Sequence, residues 1–356
     1  MKAYTKKSIF ILTGLVLLFV FTEGIFSTLL SLKYLLSTYE VDTKEAYTKH
    51  DSLLGWTSIS NFSDNNFFGP GINLRTNSQS FRNDHDFNVE IPKNMIRVIC
   101  CGDSFTFGYG VDNAHTWCEK LALSDKRLET INMGQVGFGI DQFYLWYMRD
   151  GKRFNHNIHL LAFITEDIYR INDDRFSLYN KPKLKLINEK LSTTNTPVPK
   201  HSDFYYKLQD YSNKLCEFRT YQFISRLITS TRFTGKKNQN GANEPELQKI
   251  LSLIFKALYK ENKAKNSNLV LIYLPQYSDC FEVNGRTAYW RNWIKDEAKN
   301  KDIFFIDLVS EFQKLPSEDI YSLFTETDRH FSNKGNKLIA TILYKKLISL
   351  GLINAK

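Results

Sequence analysis

The sequence predicts an α/β protein built on a parallel sheet with helices on both faces. Two observations carry this. Short, continuous apolar runs recur along the chain, and amphipathic stretches of helical period separate them. The strand-like runs are IRVICC from Ile96, ETINMG around Ile131, IHLLAFIT from Ile158, NLVLIYLP from Asn268 and DIFFIDL from Asp302. The helical stretches are Trp117 to Leu128, Ile140 to Asp150, Glu246 to Lys265, Tyr289 to Lys299 and Asn333 to Ile348. A sheet of this kind gathers its ligand at the carboxyl ends of the strands, so a site's residues should follow the strands.

Ahead of this body, Lys2, Lys6 and Lys7 precede an apolar run from Ser8 to Phe21, and the apolar character resumes after Glu23 through Leu36. The stretch is long enough to span a bilayer. A cleaved signal peptide competes with that reading, but the run exceeds a usual signal core and no small-x-small cleavage site follows. An uncleaved signal anchor over residues 1–37 is therefore expected. Its preceding lysines stay in the cytoplasm and the rest lies on the extracytoplasmic side. In a bacterium that means a single-pass inner-membrane protein facing the periplasm. Residues 38–95 are polar and lack a helical period, and they read as a loop-rich stalk or lead-in. The main domain is expected over 96–350, with a lysine-rich cap inserted at about 172–245. That cap would hold a helix from Phe204 to Thr229 and a Gly/Asn/Lys tract near Gly235 to Gly241.

The chain has 356 residues and a formal charge of +9. The excess suits an anionic partner such as a membrane surface or acidic glycan. No zinc-finger spacing, RNP sequence or arginine-rich helix is present, so nucleic acid is not an expected partner. The five cysteines, Cys100, Cys101, Cys118, Cys216 and Cys280, are odd in number and irregularly spaced. They form no disulfide framework by pattern, and Cys100 and Cys101 read as small buried hydrophobes. No metal ligand set and no cofactor are expected.

Three constellations carry chemistry. Gly102-Asp103-Ser104-Phe105 follows the first strand, where a serine would lie at the start of the crevice. The bland alternative is a helix-capping serine. Asn132 to Gly139, with glycines at 134, 137 and 139, follows the second strand and can offer N–H groups to an oxyanion, or can simply be a tight turn. Thr327-Asp328-Arg329-His330 precedes the last helix and can supply a base with a carboxylate to orient it. His50, His85, His115, His156, His159 and His201 lack such a setting and read as structural.

In this order the three blocks resemble the SGNH (GDSL-type) serine hydrolase family over about Ile96 to Ile348. The resemblance implies a flavodoxin-like three-layer α/β/α fold. It also implies Ser104 as nucleophile, His330 as general base, and the N–H groups of Ser104 and Gly137 as oxyanion donors, with Asp103 positioning the loop. The tether and Gly55-Trp56 also look like bacterial envelope members that act on acylated polysaccharides. The expected activity is esterase or O-acyltransferase chemistry on an acylated envelope glycan, acetyl being the expected acyl group, with room for an envelope acyltransferase partner. Two departures stand out. The family's acid commonly lies three residues before the histidine, where this chain has Thr327; Asp328 is the choice and Glu326 the reserve. The family's oxyanion asparagine after the third strand is matched by Glu166 in Thr165-Glu166-Asp167, so either Glu166 turns away and Asn172, Gln135 or a further N–H substitutes, or the enzyme is slow or no longer an enzyme. The competing function is a degenerate member that binds glycan or scaffolds an envelope assembly. A phosphate-binding module ranks below both, for want of a Walker lysine or a Gly-x-Gly-x-x-Gly turn.

Overall fold

The structure, a computed structural model, describes residues 2–36, 47–177, 179–200, 244–282 and 284–355. It divides into two units, and the described part of the first is one helix, α1 (Lys2–Leu36). Within it Lys6–Ile25, 20 residues, is long and apolar enough to cross a membrane. At a rise of about 1.5 Å per residue this spans about 30 Å, the thickness of a bilayer's hydrocarbon core. Glu23, the polar interruption of that run, accepts a hydrogen bond from Ser27 Oγ one turn on at 3.3 Å.

The second unit is the body. Its sheet comprises β5 (Ile96–Gly102), β6 (Leu128–Gly134), β7 (Ile158–Phe163), β12 (Asn268–Tyr273) and β13 (Phe304–Asp307). All pairings are parallel and the spatial order is β13-β12-β7-β5-β6. This is the flavodoxin-like order, in which the winding reverses between β5 and β7. Successive side chains of one strand enter opposite layers. Ile99 and Cys101 pack with α4 (Ile140–Arg149), α6 (Glu244–Ala264) and α7 (Arg286–Asn300), while Val98 and Cys100 pack with α3 (Trp117–Ser124) and α10 (Asn333–Ser349). The expected three-layer α/β/α sandwich is therefore what forms. Cys100, Cys101, Cys118 and Cys280 are buried free thiols; Cys216 lies outside the described residues.

Residues 47–95 form no sheet with the body, but they are packed on it through two short hairpins: β1 (Thr48–Asp51) with β2 (Gly55–Ser58), and β3 (Ser63–Asp64) with β4 (Leu74–Arg75). Tyr47, Leu54, Trp56, Leu74, Phe81 and Phe87 are all buried. The described start of the expected cap is two more hairpins, β8 (Arg175–Phe176) with β9 (Tyr179–Asn180), and β10 (Lys183–Ile187) with β11 (Lys190–Thr194). Lys181, between them, is wholly buried against Asp141 of α4 at 2.6 Å. The helix expected over Phe204 to Thr229 and the tract from Gly235 to Gly241 lie outside the described residues.

Candidate active site

Ser104 opens a one-turn helix, α2 (Ser104–Phe107), directly after β5. The capping role that a serine there could have had belongs to Asp103, whose Oδ1 accepts from Phe105 N–H at 2.9 Å. This leaves the Ser104 hydroxyl free for another partner. Its Oγ lies 2.8 Å from His330 Nε2, across 226 residues of sequence. A second acceptor, Asp103 Oδ2, is more distant at 3.3 Å. The same division holds at the other end: Ser332 caps α10 by accepting from Gly335 N–H, so His330 has no capping duty.

A serine hydroxyl that donates to Nε2 requires the His330 tautomer with its proton on Nδ1. That Nδ1 lies 3.1 Å from Asp328 Oδ1, though off hydrogen-bond alignment. Asp328 is held in place by Thr325 Oγ1 at 2.6 Å and by His330 N–H at 3.1 Å. Partial burial opposes its ionised form, but His330 and Thr325 outweigh it and hold the carboxyl down at about 2. Asp328 is thus a carboxylate at neutral pH. Phe105 and Tyr109 pack against the imidazole ring, with centroids 4.7 Å and 4.9 Å away.

These groups line a cavity of about 460 Å³ together with Gly137, Glu166, Arg170, Phe176, Gln276, Tyr277, Ser278 and Arg329. Ser104, Gly137, Glu166 and Gln276 follow β5, β6, β7 and β12, so the cavity sits at the carboxyl ends of the strands around the reversal of winding. The backbone N–H groups of Ser104 and Gly137 donate to no acceptor among the described residues. Gly137 has φ +80°, and a Cβ there would meet the Phe176 ring at 2.3 Å. Glycine is thus required twice over, by conformation and by the ring above it.

Glu166, at the expected asparagine position, lines the cavity and does not turn away from it. Its surface stays open to solvent, yet the surrounding walls desolvate the carboxyl and, with Asp279 and Asp103 nearby, push it up from its ordinary value. Neither Gln135 nor Asn172 reaches the cavity. Gln135 is buried, accepting from Ser58 Oγ at 2.9 Å, and the Asn172 carbonyl accepts from Lys183 Nζ. Glu326, the reserve acid, is exposed and lies outside the cavity lining.

No family model matches this chain, and no curated protein does. Among solved structures the chain is similar to an acetyl xylan esterase, at 16% identity and a TM-score of 0.43, covering 71% of this chain and 100% of that one. It is also similar to a member of the lipolytic G-D-S-L family from Veillonella parvula, at 14% identity and a TM-score of 0.41, covering 70% and 97%. A lipase/acylhydrolase from Enterococcus faecalis matches at 11% identity and a TM-score of 0.41, covering 72% and 97%.

Several residues shape the site through contacts that no motif signals, Trp56 of the Gly55-Trp56 pair among them. Arg82, from the lead-in, is wholly buried and donates to the carbonyls of Phe107, Gly108 and Val111 and to Asn113 Oδ1. It also lies over the Phe107 ring at 4.5 Å. Burial lowers its pKa to about 9, still well above neutrality, so a charged guanidinium cradles the loop that follows Ser104. Trp56 Nε1 donates to Val136 O at 3.0 Å, which fixes the turn that carries Gly137. Arg170 Nη1 bridges two buried carboxylates, Asp167 Oδ1 at 2.5 Å and Asp103 Oδ2 at 3.6 Å. Burial and the nearby Asp103 charge push Asp167 well up, partly offset by Arg170.

Proposed function

We propose that the body is a serine ester hydrolase or acyltransferase of the SGNH (GDSL) type, with Ser104 as nucleophile, His330 as general base and Asp328 orienting the imidazole. The observation that carries this reading is the 2.8 Å contact between Ser104 Oγ and His330 Nε2 inside an open crevice. As Oγ attacks an acyl carbonyl, its proton passes to Nε2, and the imidazolium that forms faces the Asp328 carboxylate. The carbonyl oxygen, now an alkoxide, meets the free N–H groups of Ser104 and Gly137. Collapse expels the alcohol, which takes the proton from Nε2, and leaves an acyl-serine. Water or a sugar hydroxyl, deprotonated by the same nitrogen, then releases the acyl group.

Glu166 in place of a neutral donor bears on rate rather than on the order of steps. One missing oxyanion donor costs about 3–4 kcal/mol, or roughly a hundredfold to a thousandfold. A membrane-spanning helix and a basic chain favour an acylated, extracytoplasmic envelope glycan as substrate over a free lipid ester. Treatment of the full-length protein in detergent micelles with a fluorophosphonate reagent tests the reading. Labelling at Ser104 is expected, none in Ser104→Ala, and at least about a thousandfold slower labelling in His330→Ala. The carboxylate of Glu166 in the cavity favours a second reading, a non-catalytic glycan-binding scaffold. Folded protein that never labels would decide for it.

A further inference from the structure

We propose that Arg329 forms an anion-binding subsite beside Ser104 and His330, so that the favoured ester substrate carries a carboxylate or phosphodiester close to the acylated hydroxyl. This rests on the reading of the cavity as an acyl-transfer site, and adds the chemical class of what enters it.

Arg329 immediately precedes His330 and lines the same cavity. Its guanidinium carbon lies over the Tyr277 ring at 4.4 Å and the Tyr321 ring at 5.1 Å. Contacts of a cation with ring faces are electrostatic and satisfy none of its N–H donors with an oxygen or nitrogen acceptor. Among the described residues none of them finds an acceptor, and Nη1 is buried without one. Every other charge in the cavity can be traced. Arg170 is spent on Asp167 and Asp103, and Asp328 serves His330 and Thr325. Glu166 makes no ion pair among the described residues and would repel an anion from its own side of the cavity. A substrate's negative group is therefore steered toward Arg329 and away from Glu166. Gln276 and Ser278 add an amide and a hydroxyl to the lining.

The backbone supports the same conclusion. Arg329 has φ +59°, a conformation that glycine or asparagine fills at least cost in a turn. This left-handed turn residue fixes the start of the arginine side chain beside His330, so the unsatisfied fork is presented from a defined point of the cavity wall.

The test compares mono-O-acetylated methyl glucuronoside with its methyl ester, which removes the carboxylate charge and adds one methyl. A methyl phosphodiester of O-acetylated methyl glucoside serves as a third ligand. Affinities are measured on the full-length Ser104→Ala protein in detergent, with and without Arg329→Gln or Arg329→Lys. The free acid is expected to bind about tenfold to a hundredfold more tightly than its ester. That ratio should fall to near one in R329Q and be partly retained in R329K. Being internal to each variant, it is insensitive to how much of the protein is folded. The phosphodiester distinguishes the two anion classes, and the tighter of the two names the substrate's group. A ratio near one without the Arg329 substitution, or an unchanged ratio in R329Q, overturns the subsite. Failure of Ser104 to label with fluorophosphonate would instead remove the acyl-transfer reading and leave the binding ratio to stand or fall by itself.

Discussion

Replacing Lys181 by Met should cost the body about 3–5 kcal/mol at pH 8, and most of that loss should disappear on acidification. The Lys181 ammonium is fully buried, with Asp141 Oδ2 at 2.6 Å, Arg170 O at 2.9 Å and Asp173 O at 3.2 Å, which fills its three donors. Removing it leaves a buried carboxylate without its counter-charge, a loss of the size just given. The deficit is bounded by the alternative of protonating Asp141. That costs about 1.4 kcal/mol for each pH unit above the unfolded value of 3.8. The bound is about 6 kcal/mol at pH 8 and about 1.6 kcal/mol at pH 5. Burial already raises the Asp141 pKa in the native pair, with Lys181 pulling it down. Taking Lys181 away raises it further, so the folded state holds the extra proton over a wider range and its deficit shrinks as pH falls. All five tryptophans, Trp56, Trp117, Trp146, Trp290 and Trp293, lie in the body. Urea unfolding followed by tryptophan emission therefore reports on this unit, and Asp141→Asn in the K181M background should recover at least half of the loss at pH 8. A deficit below about 1 kcal/mol, or one equal at pH 8 and pH 5, would refute the argument.

Three further perturbations follow from the same buried and strained groups. Burial lowers the pKa of His156 and of His159, so the folded body keeps both neutral. Stability should be level above about pH 7 and fall below the unfolded value of 6.5, by up to about 1.4 kcal/mol per pH unit for each ring; urea midpoints at pH 7 and pH 5 measure this, and His159→Phe should flatten the slope. Gly137→Ala places a Cβ at φ +80° and 2.3 Å from the Phe176 ring, so fluorophosphonate labelling at Ser104 should slow about tenfold to a thousandfold with the fold retained by circular dichroism. Arg82→Met leaves three carbonyls and one amide oxygen without their buried donor, and should lower the urea-unfolding free energy by about 3 kcal/mol or more.

The sheet and its helices were legible because burial on both faces forces a strand to be apolar throughout, and helices that cover such a sheet must be apolar at every third or fourth residue. Residues 98–101 and 160–163 illustrate the first rule, with Arg97 and His159 the buried polar exceptions near the strand starts, and the stripe Leu247, Ile250, Leu251, Ile254, Phe255 and Leu258 the second. Ser104, Asp328 and His330 could be singled out because each stands in a short motif next to a predicted element. The contacts of Trp56 and Arg82 could not, although Gly55-Trp56 itself stood out, because their partners are mainly backbone carbonyls. Trp56 serves Val136 O and Arg82 serves three carbonyls of the loop after Ser104, and a carbonyl is present at every position, so no pairing pattern is left in the sequence. Lys181 was hidden for a different reason. In a lysine-rich stretch one buried ammonium looks like its solvated neighbours until Asp141, 40 residues earlier, is brought beside it.

These unheralded contacts share a mechanical consequence. Arg82 grips the loop after Ser104, and Trp56 and Ser58 hold the turn that carries Gly137 through Val136 and Gln135. Lys181 ties the carbonyls of Arg170 and Asp173 to the first turn of α4, just beyond Gly139. The two N–H groups proposed to meet the oxyanion therefore lie on separate turns, each braced from outside the sheet by residues of the lead-in. Oxyanion donors contribute only when they are fixed before charge develops. A pair of short turns after β5 and β6 could not supply that rigidity unaided. The lead-in is then part of the site's framework, and a body truncated to begin at Ile96 should lose the fixed geometry of both turns even where the five-stranded sheet still forms. Near-UV circular dichroism and fluorophosphonate labelling of that truncation separate the two effects: native-like labelling without residues 47–95 would show that the turns hold themselves.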